Sequence, residues 1–280
     1  MNNFGFKVID VKKFDKEIFE IIEYSNNNKL PIELAIYKED KEMYERIIKE
    51  GKYLNTIHLS RKCNVHLKNK TFEEHKGNIF NEIERGVSYG IYRFVLHMNI
   101  EKFNMKKNER KDIIKVLLER LSEINEFSKK MDKNDKKVEI FIENLFEPLY
   151  FYKELFEEIN ELELDRINFC FDIGHAKIWS KDTLENWLLF LKIMKNDYKK
   201  NFHFHIHFNA GLKDQHLSFE ESINEGITEK DEYFSKLKNI SDIIKYDLID
   251  VYKDDTFVME QNPKYQISGY EIMKKKVINE

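Results

Sequence analysis

The chain has 280 residues, 41% apolar and 14% aromatic, enough for one sizeable core, while 35% charged residues describe a well-solvated exterior. A net charge of -4 offers no general attraction to nucleic acid, whose binders usually carry a basic face, and leaves only a local basic patch open; two cysteines in unrelated contexts, Cys63 and Cys170, exclude a disulfide framework and a cysteine zinc module. The apolar runs, such as Ile140 to Ile142 and Leu188 to Leu191, are too short to cross a bilayer and the first residues lack an apolar signal core, so a cytoplasmic protein with no membrane partner is expected.

Along the chain, short β-rich apolar runs alternate with longer stretches whose apolar residues recur at helical spacing. Eight strands are predicted, at Lys7–Val11, Pro31–Tyr37, Leu54–Ser60, Arg93–Asn99, Val138–Asn144, Ile167–Asp172, Phe202–Phe208 and Thr256–Gln261. Between them, stripes such as Ile113, Leu117, Leu121, Ile124 and Phe127, or Leu184, Trp187, Leu188 and Leu191, put one apolar helix face against a sheet. Gly51 reads as a helix stop and Asp182 as an N-cap, and Ser268 with Glu271 reads as a capping box that opens a last helix. Three prolines, nine glycines and no linker-like stretch predict one domain over residues 1–280. Near-continuous apolar strands favour parallel pairing, and closure removes both sheet edges, so the expected class is α/β, a (β/α)₈ TIM barrel. The alternative, a doubly wound open sheet, is weakened because no G-x-G-x-x-G follows the first strand and no G-K-S/T loop occurs.

Residues able to bind metal sit at the C-terminal ends of the predicted strands, where barrel enzymes place their sites. The third to eighth strands end on His58, His97, Glu143, Asp172, His207 and Glu260. Each alone has an ordinary explanation: a carboxylate there can cap the following helix, and histidine is acceptable in a half-buried layer. Three carboxylates converging on a low-dielectric interior, however, are costly unless paired or bound to a cation. A divalent metal is therefore expected.

The sixth segment adds His175, three residues after Asp172 and past Gly174, which is expected to let the chain turn sharply. In the seventh, alternation puts His203, His205 and His207 on one face. Only His207 is expected near the mouth; the others lie deeper by about 7 and 13 Å, which makes His205 a support at most and His203 structural. The next loop supplies Asp214 and His216, a D-x-H pair that can ligate a metal or order the loop. His66, His75 and the lysine runs Lys106–Lys107 and Lys274–Lys276 are set aside as solvated.

The segments Ile142–Asn144, Cys170–Ala176, His205–His216 and Met259–Glu260 together resemble the xylose isomerase-like barrel family, which also contains the endonuclease IV type of apurinic-site nucleases. The isomerase and epimerase branch implies one Mg²⁺, Mn²⁺ or Co²⁺ held by Glu143, Asp172, His207 and Glu260. Glu143 and Glu260 would then pass the proton of an enediolate mechanism on a sugar, and His175 would bind a substrate hydroxyl. The nuclease branch implies three Zn²⁺ held by nine residues, for which His58, His97, Glu143, Asp172, His175, His207, Asp214, His216 and Glu260 form a complete candidate set.

Departures bear on both branches. Leu145–Pro148 replaces the glycine-rich loop of the nucleases, which with the absence of a basic surface speaks against duplex DNA. Ketose epimerases place a substrate-binding arginine after the seventh-strand histidine. No arginine occurs between His207 and Glu260, leaving Lys213 as the candidate in its place. Asn209 stands where many relatives have an aspartate and is the other substrate-binding candidate. The resemblance thus implies a metal-dependent sugar isomerase or epimerase first, a zinc phosphodiesterase on a sugar-containing substrate second, and a metal-lined binding barrel without turnover third. The family also contains dimers and tetramers, so a homo-oligomer is expected.

Overall fold

The computed structural model describes residues 3–38, 40–63, 65, 72–98, 106–179, 182–209, 213–224 and 243–275. Eight parallel strands close in sequence order into a barrel, with the eighth pairing back to the first. In chain order the elements are β1 (Phe4–Ile9), α1 (Asp15–Asn28), β2 (Ile32–Ala35), α2 (Lys41–Glu50), β3 (Leu54–His58), α3 (Phe72–Ser88), β4 (Arg93–Leu96), α4 (Lys107–Lys130), β5 (Glu139–Glu143), α5 (Leu149–Glu161), β6 (Ile167–Asp172), α6 (Ile173–Trp179), α7 (Leu184–Asn196), β7 (Phe202–Ile206), α8 (Phe219–Asn224), β8 (Thr256–Met259) and α9 (Gln266–Met273). A π-helical segment, Ile243–Ile249, precedes β8. No helix among the described residues is long and apolar enough to cross a membrane.

Two cores result from the strand alternation. Outward residues such as Phe6, Val8, Ile32, Leu34, Phe169, Phe171, Phe202 and Phe204 pack against the helices in one apolar layer. Inside the barrel, Val95, Phe141 and Cys170 form a small apolar cluster. The rest of that interior includes buried charge: Lys7, Glu33, His203 and His205.

Several boundaries differ from the sequence expectation. The first strand runs over Phe4–Ile9 rather than Lys7–Val11. Asp10 ends it by leaving the sheet, its carboxylate accepting the N–H groups of Tyr37, Lys38 and Asp40 at 2.6, 2.7 and 3.1 Å. The fourth strand stops at Leu96, and Asn99, like His66 and Lys276, lies outside the described residues. Gly51 does close α2, its N–H donating to Ile47 O. The N-cap of α7 is Thr183 rather than Asp182, with the threonine hydroxyl accepting from Asn186 N. Ser268 lies inside α9 and does not open it, because Pro263, with no N–H to place, starts a 3-10 turn capped by Asn262 directly before α9.

Candidate metal centre

Glu143, the last residue of β5, is 1% exposed and stands at the crossing of the site. Its Oε2 lies 2.9 Å from His58 Nε2 and 2.8 Å from His97 Nε2, and its Oε1 lies 3.1 Å from His175 Nδ1. Ends of β3, β4, β5 and α6 thus meet on one carboxylate. Burial alone would raise its pKa, yet the His97 and His205 imidazoles hold it well below the usual carboxylate range.

Asp172 ends β6 and serves two purposes. Its Oδ1 accepts from His175 N at 2.7 Å, capping the helix that begins there, while its two oxygens lie 2.9 and 3.0 Å from His207 Nε2. The capping and ligating readings of a strand-end carboxylate are therefore compatible. Gly174 is required for close approach rather than for a sharp turn. A Cβ there would stand 2.2 to 2.6 Å from the His207 imidazole atoms. Asn144 ties the two strand ends together, donating to Asp172 O at 2.9 Å and accepting from Asp172 N at 2.8 Å.

The loop after β7 brings in Asp214 and His216. Asp214 Oδ2 lies 2.9 Å from His216 Nε2 and 3.3 Å from His175 Nε2, and His207 and His216 stack with centroids 4.3 Å apart. A bridge between Phe208 and Leu217 closes this loop. Asn209 braces it from within: its Oδ1 accepts from Gln215 N at 2.6 Å and its Nδ2 donates to Gly174 O at 3.1 Å. Lys213 is exposed on the same loop. Against the effect of burial, Asp172 and Asp214 raise the His175 pKa, and His175 and His216 lower that of Asp214.

All nine residues of the predicted multinuclear set are thus brought to one mouth. The structure adds three that the sequence reading left out or undervalued. His205 Nδ1 reaches Glu260 Oε2 at 2.8 Å, Glu143 Oε1 at 3.5 Å and Asp172 Oδ2 at 3.6 Å, so it touches three carboxylates. Lys7 Nζ lies 2.6 Å from Glu260 Oε1, and Glu33 Oε2 lies 2.5 Å from His203 Nε2. The signal for Lys7 and Glu33 was available: each is a lone charge in an otherwise apolar strand.

The donors fit a divalent cation. Donor atoms of His58, His97 and Glu143, of Asp172, His175 and His207, and of His175, Asp214 and His216 each converge within 4.8 Å. Buried atoms His205 Nδ1, His207 Nδ1 and Glu260 Oε2 have no hydrogen-bond partner among the described residues. The 2.8 Å approach of His205 Nδ1 to Glu260 Oε2 is an ion-pair contact off the line that a hydrogen bond requires. Such atoms carry unused lone pairs, and their mixture of imidazole and carboxylate is the chemistry that zinc and its neighbours prefer.

The sequence pattern of the xylose isomerase-like TIM barrel matches residues 10–249. The chain belongs to this family. No curated protein sequence matches it significantly. Among solved structures, the xylose isomerase-like barrel is similar to the TTHB071 protein from Thermus thermophilus soaked with ZnCl2, at 17% identity and a TM-score of 0.68 over 98% of both chains. It is also similar to endonuclease IV from the same organism, at 16% identity and a TM-score of 0.57 over 99% of this chain and 100% of that one. A third is the IolI protein with a bound zinc atom, at 13% identity and a TM-score of 0.60 over 99% of this chain and 97% of that one. At these identities the likeness is one of fold.

Proposed function

We propose that the protein is a multinuclear zinc enzyme that hydrolyses a phosphodiester in a small, sugar-containing substrate. The observation that carries this reading is the number and grouping of donors: eight side chains fall into three groups, two of which share His175 while Glu143 of the other lies 3.1 Å from it, more than one ion can use. His58, His97 and Glu143 would hold one ion, Asp172, His207 and Glu260 with Glu143 a second, and His175, Asp214 and His216 a third. Bound ions would supply acidified water and neutralise charge on the phosphoryl group. The chain's own part is to hold the carboxylates ionised and fixed: Asn144 locks the ends of β5 and β6, and Asn209 locks the loop. A net charge of -4 supports a small substrate over duplex nucleic acid. Two structures among the neighbours, TTHB071 soaked with ZnCl2 and IolI with a bound zinc atom, agree with the choice of metal.

A second reading, a sugar isomerase or epimerase using one Mn²⁺, Mg²⁺ or Co²⁺, is supported by Glu143, Asp172 and Glu260 all coming within 3.6 Å of His205 Nδ1, so that three carboxylates face one point. Glu143 and Glu260 would then exchange the substrate proton. Metal content separates the two readings. Plasma mass spectrometry on protein purified without chelators or a metal-affinity tag is expected to give two or three zincs per chain, with hydrolysis of bis-p-nitrophenyl phosphate lost on chelation. One manganese, magnesium or cobalt would select the isomerase. No metal even after reconstitution would sink both and leave a binding barrel.

A further inference from the structure

Strands β3 to β8 deliver the donor set, which leaves the interior charges of β1 and β2 without a part in it. Lys7 on β1 is 6% exposed and Glu33 on β2 is fully buried. They close a ring of contacts with two residues of the mouth. Lys7 Nζ stands 3.5 Å from Glu33 Oε1 and 2.6 Å from Glu260 Oε1, His205 Nδ1 stands 2.8 Å from Glu260 Oε2, and His205 Nε2 stands 3.1 Å from Glu33 Oε2. Glu260 is therefore held through one oxygen by an ammonium while its other oxygen has no hydrogen bond among the described residues.

We propose that Lys7 is a positioning residue for Glu260 and a resident stand-in for a cation. It holds Oε1 so that Oε2 is the one oxygen Glu260 offers, and its charge keeps the metal-free mouth assembled at the expense of affinity at the Glu260 end. This rests on the metal-binding reading above but not on the reaction assigned to it. The reasoning is electrostatic. Without Lys7, the fully buried Glu33 and the largely buried Glu260 would face only the imidazoles of His203 and His205, so the lysine stabilises the metal-free site. The same charge, fixed a few ångströms behind Glu260, repels any divalent ion that Glu260 binds.

Two variants test this. Lys7→Met keeps the length and removes the charge, and Lys7→Arg keeps the charge. In EDTA, K7M is expected to unfold at a lower temperature than the parent, and zinc is expected to restore it to the parent's zinc-loaded value or above. In competition with a chromophoric chelator, the weakest-bound zinc of K7M should be held about ten-fold tighter than in the parent, because a nearby like charge has gone. K7R should keep the parental affinity. A purely structural lysine would lower stability and zinc affinity together. Parental or weaker zinc affinity in K7M, failure of K7M to fold even in zinc, or equal tightening in K7R would each overturn the proposal. A parent that takes up no zinc removes the metal reading and this inference with it, whereas zinc uptake by the parent with no tightening in K7M removes the inference alone.

Discussion

The two ends of the barrel interior both bury charge, and they balance it differently. At the floor, Arg93 Nη1 donates to Glu139 at 3.1 Å, its Nη2 donates to Phe202 O at 3.0 Å, and its guanidinium lies 4.4 Å from the Phe141 ring centroid. Asn201 adds a further amide donor to Glu139. One cation meets one carboxylate there. At the mouth, Glu143, Asp172, Asp214 and Glu260 face imidazoles, and the lysine that reaches them pairs with Glu260. Balance at the mouth requires protonated histidines or an added cation, and in the metal-free protein the carboxylates draw the His175 pKa well above its ordinary value. Buried charge that brings its own counter-ion is architecture. Buried charge whose neighbours are themselves metal donors marks a site.

The largest expected effect comes from Glu143→Gln, which removes the carboxylate shared by two donor groups. Zinc per chain, counted by plasma mass spectrometry, should fall by at least one, and hydrolysis of bis-p-nitrophenyl phosphate by about 10² to 10³-fold, the scale for loss of one electrostatic stabiliser. Unchanged metal content and rate would break the contrast at the mouth. At the floor, Arg93→Met should do the reverse. It leaves Glu139 with amide donors alone and is expected to cost about 1 to 3 kcal/mol in urea unfolding followed by circular dichroism, with zinc content at the parental level. A folded R93M that loses zinc would show that the floor and the mouth act as one unit.

How much of this was legible in the sequence depends on where the signal sat. The mouth was readable because a strand ends where its apolar run ends. Six such runs carried a histidine or carboxylate at or near their ends, and strand ends three and two residues earlier than expected, in the fourth and seventh strands, left His97 and His207 in place. The interior was not readable in the same way. Strands buried on both faces show apolar runs without a continuous polar side, so a lone inward charge such as Glu33 marks a position without saying what it meets. Placing the first strand three residues late put Lys7 at its start, where a charge is unremarkable, instead of mid-strand between Phe6 and Val8, where it must point inward. Gly174 reads in the sequence as a turn residue because the imidazole it makes room for, that of His207, is more than thirty residues away in sequence. The true caps were masked by neighbours with the same chemistry: Thr183 sits beside Asp182, and Pro263 fixes the start of the last helical segment before Ser268 can.

Asn209 gives the smallest effect and the finest test. Sequence position makes it a substrate contact, whereas in the fold it is fully buried, with one end on Gln215 N and the other on Gly174 O. Those two bonds join the loop bearing Asp214 and His216 to the helix bearing His175, so Asn209 orients one donor group without belonging to it. Asn209→Ala should therefore weaken one zinc by about 10 to 100-fold in chelator competition, as expected for a partner behind the ligands. Loss of the two hydrogen bonds should cost only about 1 to 3 kcal/mol of global stability. The other zincs should keep their affinity, because Asn144 fixes the ends of β5 and β6 independently. If N209A held all its zinc as the parent does but raised KM for the phosphodiester, the loop would be held by the Phe208–Leu217 bridge and by His216 Nδ1 against Glu260 O, and Asn209 would belong to the substrate.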